Sequence, residues 1–144
     1  MGYTTKFIGE IILSQKLNIA EAKELLECRE SVVIPKGSKA KNGYMQWVPT
    51  EDLSAIVWDH GEKFYDYIEH LEWLCNWLKE KGILASGSFS WAGESVGDTG
   101  HILVKDNIVT FFENQSPKGS HRLPLTMSKL SKMALDIVAG DTKE

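Results

Sequence analysis

The chain has 144 residues, of which 42% are hydrophobic and 25% charged, and a formal net charge of −4. Such a composition describes one globular domain with a core of ordinary size. It excludes a polyelectrolyte, and no apolar run approaches the ~18–20 residues that span a bilayer.

Residues 3–13 alternate, with Tyr3, Phe7, Ile11 and Leu13 on one face and Thr4, Lys6 and Glu10 on the other, the pattern of a half-buried strand. Asn18 with Glu21 three residues on forms a capping box for a helix to about Arg29, with Ile19, Ala22, Leu25, Leu26 and Cys28 as its apolar stripe. Residues 34–43, IPKGSKAKNG, read as an exposed loop carrying Lys36, Lys39 and Lys41. Residues 44–48 and 53–58 are β-rich, and the intervening Pro49–Asp52 suits a hairpin connection. A second helix is expected from about Gly61 to Lys81, capped by Asp59 with Glu62 and ended by Gly82. Strands follow at 84–92, 101–105 and 108–113, the last two joined by the turn pair Asp106–Asn107. Residues 114–124 are polar, and Thr126 opens a helix over 126–138 with Met127, Leu130, Met133, Ala134, Ile137 and Val138 on one stripe. The division is a single α+β domain over 1–113, then a polar linker and an amphipathic helix over 114–144. The order predicts a ferredoxin-like β-α-β-β-α-β antiparallel sheet with one or two added strands.

Charge is unevenly placed. Residues 51–72 hold seven acidic residues, Glu51, Asp52, Asp59, Glu62, Asp66, Glu69 and Glu72, against one lysine. Such a block repels nucleic acid and attracts basic surfaces. Cys28 and Cys75 both fall on apolar helix positions and read as buried free thiols of a reducing cytosol. The N-terminal MGYTTKFIGE lacks the apolar stretch of a secretion signal, which adds to the expectation of a cytoplasmic protein.

The second helix carries two apolar faces. Phe64, Ile68, Leu71, Cys75 and Leu78 share one arc, widened by Tyr67 and Leu74. Asp66, His70, Trp73 and Trp77 line the opposite side at spacings that stack along one stripe. Two exposed indoles would leave several hundred Å2 of apolar surface wet, at about 150–250 Å2 each. The stripe is therefore expected to be covered, by the tail helix, a second copy of the chain or another protein. Asp66, His70, Trp73 and Trp77, with Glu51, Asp52 and Glu62, are the expected partner interface.

No nucleotide-binding loop, nucleophile elbow or zinc motif occurs, and the four histidines have no metal-ligand spacing, so no metal or cofactor is expected. One polar cluster, Glu94, Asp98 and His101 in WAGESVGDTGH, would suit acid–base hydrolysis if assembled in space. An alternative ligand site combines Lys36, Lys39 and Lys41 for phosphate with Trp47, Trp91, Glu94, Asp98 and His101 for a nucleotide-like signal. The aromatic-rich sheet pattern of RNA readers is absent, and the acidic block argues against nucleic acid.

The runs QWVPTED, AIVWDHGEKFYDYIEHLEWL and GESVGDTGHILVKDNIV resemble a group of small bacteriophage and prophage proteins. These share a QWVPTED…I-x-W-D-x-GEKFY pattern and a later G-E…D…G-x-I-x-V-x-D-N. The match covers roughly residues 3–110 and leaves out the tail; His70 stands where such sequences often have an aromatic. The resemblance implies a phage setting inside a bacterial host and transfers no catalytic residue. Together these readings point to a non-enzymatic phage accessory protein, homo-oligomeric, that occludes a host component with a basic surface, a defence factor being the leading candidate. A nucleotide-like signal sponge is the alternative, and a hydrolase using Glu94, Asp98 and His101 comes third.

Overall fold

The computed structural model describes residues 3–31, 34–113 and 124–138. The elements are β1 (Lys6–Leu13), α1 (Ile19–Ser31), β2 (Trp47–Pro49), β3 (Ala55–Trp58), α2 (Tyr67–Glu80), β4 (Ala85–Ala92), β5 (Thr99–Lys105), β6 (Ile108–Glu113) and α3 (Met127–Val138). The six strands form one antiparallel sheet in the order β2-β3-β1-β4-β5-β6. The α+β class expected from the sequence is present, with a C-terminal helix. β5 and β6 continue the sheet beyond β4 as a meander, which makes them the two added strands.

One core forms between the sheet and the helices. Phe7, Ile11 and Leu13 alternate along β1 toward it, as the period of a strand requires. They meet Ala22, Leu25 and Leu26 of α1 and Leu71, Leu74, Cys75 and Leu78 of α2. Its centre is aromatic: Phe7 lies edge-on to Trp47 at 5.0 Å and to Trp58 at 5.4 Å, while Trp47 stacks on Phe89 at 4.4 Å. Edge and offset contacts of this kind add to burial through ring quadrupoles.

Several local expectations are met atom by atom. Glu21 N donates to Asn18 Oδ1 at 2.7 Å and Asn18 N donates to Glu21 Oε1 at 2.9 Å, closing the capping box. Gly82 takes φ +77° after α2, and Ile83 N reaches back to Leu78 O at 3.0 Å. Asp106 and Asn107 both have positive φ, as a type I′ hairpin demands. Asn107 also ties three segments together. Its Nδ2 donates to Cys75 O at 2.8 Å and Ile83 O at 3.1 Å, and its Oδ1 accepts from Ala85 N at 2.9 Å.

The start of the second helix differs. The second helix starts at Tyr67 rather than near Gly61, because His60, Lys63 and Asp66 all have positive φ and break the helical path. Asp59 consequently caps no helix; its carboxylate accepts from Gly61 N at 2.8 Å and pairs with Arg29 of α1. Phe64 is buried from this loop rather than from the helix arc. Cys28 is only half-buried, whereas burial and the nearby Glu72 push the Cys75 thiol up to about 12.

Helix α3 packs on α1, with Leu125 and Leu130 joining the core. Lys129 N donates to Thr126 Oγ1 at 3.1 Å, the expected cap. Just before it, Leu125 N donates to Pro49 O at 2.7 Å and Pro124 bridges Thr50, so this segment lies along the outer edge of β2. The linker residues 114–123 and the side chains of Ile137 and Val138 lie outside the described residues.

Candidate functional site

The tryptophan stripe of α2 does not face outward. Trp77 is buried and Trp73 half-buried, their rings stacked at 6.1 Å. Trp77 Nε1 donates to Glu24 Oε2 of α1 at 3.1 Å, and Lys81 covers its ring at 4.6 Å. Trp73 Nε1 donates to Lys36 O at 3.0 Å. His70 is fully buried; its Nε2 donates to Asn42 O at 2.8 Å and its Nδ1 has no partner. Asp66 accepts from Lys41 N at 2.8 Å, Asn42 N at 2.9 Å and Asn42 Nδ2 at 3.0 Å. The four residues expected to meet a partner thus hold α1 and the 36–42 loop of the same chain. The wheel reading failed because it treated that loop as solvated. A lysine-rich loop still carries backbone carbonyls and amides that indole, imidazole and carboxylate can satisfy.

These contacts shift titration. Burial lowers the His70 pKa below its ordinary value, against the opposing pull of the Asn42 and Gly43 carbonyls and of Asp66. Burial raises Asp66, but the hydrogen bonds from Lys41 and Asn42 outweigh it and hold the carboxyl below its ordinary value.

The remaining acidic interface residues are dispersed. Asp52 accepts from Thr50 Oγ1 at 2.7 Å and Ser54 Oγ at 2.8 Å inside its own turn. Glu62 is exposed, and Glu51 is half-buried beside the same turn as Asp52.

The alternative ligand set is not brought together either. Trp47 is fully buried and donates to Tyr67 O at 2.9 Å. Trp91 is buried against Phe111, ring centroids 5.4 Å apart, and lies over Gly100, where a Cβ would collide with the indole. Glu94 Oε2 accepts from Thr4 N at 2.8 Å, and Asp98 accepts from the Tyr3 hydroxyl, which in turn accepts from Ser95 N at 3.0 Å. Both carboxylates therefore pin the segment before β1. His101 stacks on Phe112 at 4.7 Å, on the other side of the sheet from Trp91, and no hydrogen bond joins it to either carboxylate among the described residues. Among the described residues no His, Cys, Asp or Glu group could hold a metal ion, and no helix is long and apolar enough to cross a membrane.

Two clefts flank Trp73. One, of about 330 Å3, runs between Lys39, Glu69, Glu72, Asn76 and Ile108; the other, of about 600 Å3, lies against Lys36, Asn76, Trp77 and Lys79. Of the proposed phosphate-binding lysines, Lys36 and Lys39 line these clefts, while Lys41 contributes its amide to Asp66.

The least expected surface is the open face of the sheet. The register places Ile8, Glu10 and Ile12 of β1 beside Ser90, Ser88 and Ser86 of β4. Beyond the serines come His101 and Leu103 of β5, then Ile108, Thr110 and Phe112 of β6. Ile12 is 48% exposed, Leu103 40% and Ile108 64%. A floor of three serines thus runs between two apolar ridges. At the β2–β3 end Ala55, Val57 and Val48 of this same face are buried, so the open stretch runs from β1 to β6. The signal was present in the alternation of Ile8, Glu10 and Ile12 and of Ser86, Ser88 and Ser90, which places every second residue on the side away from the core.

Compared with known proteins, the chain matches no family model, no curated protein and no solved structure.

Proposed function

We propose that this chain is a non-enzymatic accessory binding protein that works through the open face of its sheet. The sequence resemblance supports a phage setting in a bacterial host, and occlusion of a host component such as a defence factor fits that setting. One observation carries the reading: Ile12, Leu103, Ile108 and Phe112 stand exposed on one face while the opposite face already fills a complete core. An apolar patch on the order of a few hundred Å2 on one side of a small protein marks a contact surface. Glu94 and Asp98 each hold the segment before β1 through one oxygen, and no hydrogen bond joins either to His101 among the described residues, which favours binding over hydrolysis. The test is retention of host protein from a bacterial lysate by wild type and by an Ile12→Glu, Leu103→Glu double variant of equal thermal stability. The reading expects a discrete host protein held by wild type and lost by the variant. Equal retention by both, or none by either, contradicts it.

A second reading, a nucleotide-like signal sponge, is favoured by the clefts beside Trp73, whose volumes fall in the range of small-ligand sites at about 300–1,000 Å3. Trp73 supplies a ring, Asn76 an amide, and Lys36, Lys39 and Lys79 positive charge. Glu69, Glu72 and Glu80 beside them weaken the case for phosphate. Thermal shift against cyclic nucleotides and ADP-ribose derivatives separates the readings, since ligand at 100 times Kd stabilises by about 2.7 kcal/mol.

A further inference from the structure

We propose that β6 is a homodimer edge, pairing antiparallel with β6 of a second copy about a two-fold axis at Thr110. A sheet has two edges, and they are treated differently here. At one edge, β2 is flanked by Pro124–Leu125 through the Leu125 N to Pro49 O bond and the Thr50–Pro124 bridge. At the other, no strand among the described residues pairs with the outer side of β6. The segment reads Ile108-Val-Thr-Phe-Phe-Glu113, six residues without proline and with a single charge at its end. Five of the six are exposed and Val109 is half-buried. An exposed edge strand lacking proline, bulge or inward charge is a template for pairing with another chain.

The sequence of β6 selects a second copy as the occupant, because it complements itself. With Thr110 facing Thr110 of the other copy, Ile108 meets Phe112 of the second copy on the open face. Val109 meets Phe111 of the second copy on the helix face. Those are one threonine pair and four aromatic–β-branched pairs, the favourable cross-strand combinations. Centring the axis on Phe111 instead pairs Val109 with Glu113 of the second copy, an apolar side chain against a charge. A slip of one residue sets the open face of one copy against the helix face of the other.

The geometry closes, as two-fold pairing of one edge must, and gives a continuous twelve-stranded sheet rather than a filament (six strands from each copy). Strand pairing alone buries less than the ~800 Å2 per partner of a standard interface. On the open face Ile108 and Phe112 lie beside Phe112 and Ile108 of the second copy, which adds side-chain area to the pairing. The proposal stands apart from the host-partner reading, since the pairing needs no third molecule.

The test is mass in solution by light scattering at about 100 µM protein, where a Kd of ~10 µM leaves most chains paired. Wild type is expected at the dimer mass. Thr110→Lys and Thr110→Glu each place like charges across the axis and are expected at the monomer mass with cooperative unfolding retained, Thr110 being exposed. Mixing the two is expected to restore the dimer mass. A monomeric wild type, a dimer that survives both substitutions, or a mixture that stays monomeric overturns the proposal.

Discussion

Trp73 Nε1 donates to the carbonyl of Lys36 at 3.0 Å, so helix α2 grips the loop that precedes β2. Together with His70 to Asn42 and Asp66 to Lys41 and Asn42, this makes the outer stripe of α2 a clasp. Substitution there should therefore act on stability and on the loop.

For Trp73→Ala we expect a loss of about 2 kcal/mol, below the ~3–5 kcal/mol of a fully buried tryptophan because the ring is only half-covered. Protease cleavage between residues 36 and 43 should accelerate while the mass in solution stays that of wild type. Denaturant unfolding and limited proteolysis read both. A change of oligomeric state with no change in stability would return the stripe to the role of a partner surface.

Acid should open the same clasp. His70 has its folded pKa below the ordinary 6.5, so between those values the unfolded chain binds more protons than the folded one. Its contribution is complete above pH ~6.5 and is lost as pH falls through the folded value. Asp66, lowered from 3.8, adds a loss of the same sign below that pH. Unfolding free energy measured from pH 7.5 to 5 should fall in wild type and fall less in His70→Gln.

Asn107 should be among the costliest single positions outside the aromatic core. Asn107→Gly keeps the positive φ of 71° without strain but strands Cys75 O, Ile83 O and Ala85 N. We expect a loss of about 3 kcal/mol, since each unsatisfied buried group costs roughly 1–3 kcal/mol. Asn107→Asp keeps the acceptor but sets a buried carboxylate oxygen against Cys75 O and Ile83 O, so near neutral pH it should melt no higher than Asn107→Gly.

The carboxylates near the N-terminal segment should behave as struts. Asp98→Asn and Glu94→Gln are expected to raise amide hydrogen exchange at Thr4 and its neighbours, with the global melting temperature almost unchanged, because both bonds are exposed. Protection of Thr4 that is indifferent to Glu94→Gln would contradict this assignment.

Much of the fold was legible because the informative signals were local. The Asn18–Glu21 box, the Gly82 stop and the Asp106–Asn107 turn depend on residues within three or four positions of one another. The start of α2 was not legible, since Lys63 and Asp66 take positive φ inside a segment held by tertiary contacts to Thr4, Gln46 and the 41–42 loop. The candidate site was misplaced for the same reason. A helical wheel shows which residues share a face, yet it cannot show that a lysine-rich loop some thirty residues away folds over it. The open sheet face was overlooked because its apolar residues are spread one or two per strand across β1, β5 and β6, and only the register gathers them.

The account rests on which side of the molecule meets another protein. The most direct measurement is photo-crosslinking in bacterial lysate from p-benzoylphenylalanine placed at Leu103 on the open face and, separately, at Asn76 beside Trp73. The account predicts a discrete adduct of host protein from position 103 and none from position 76. An adduct from position 76 alone would contradict it.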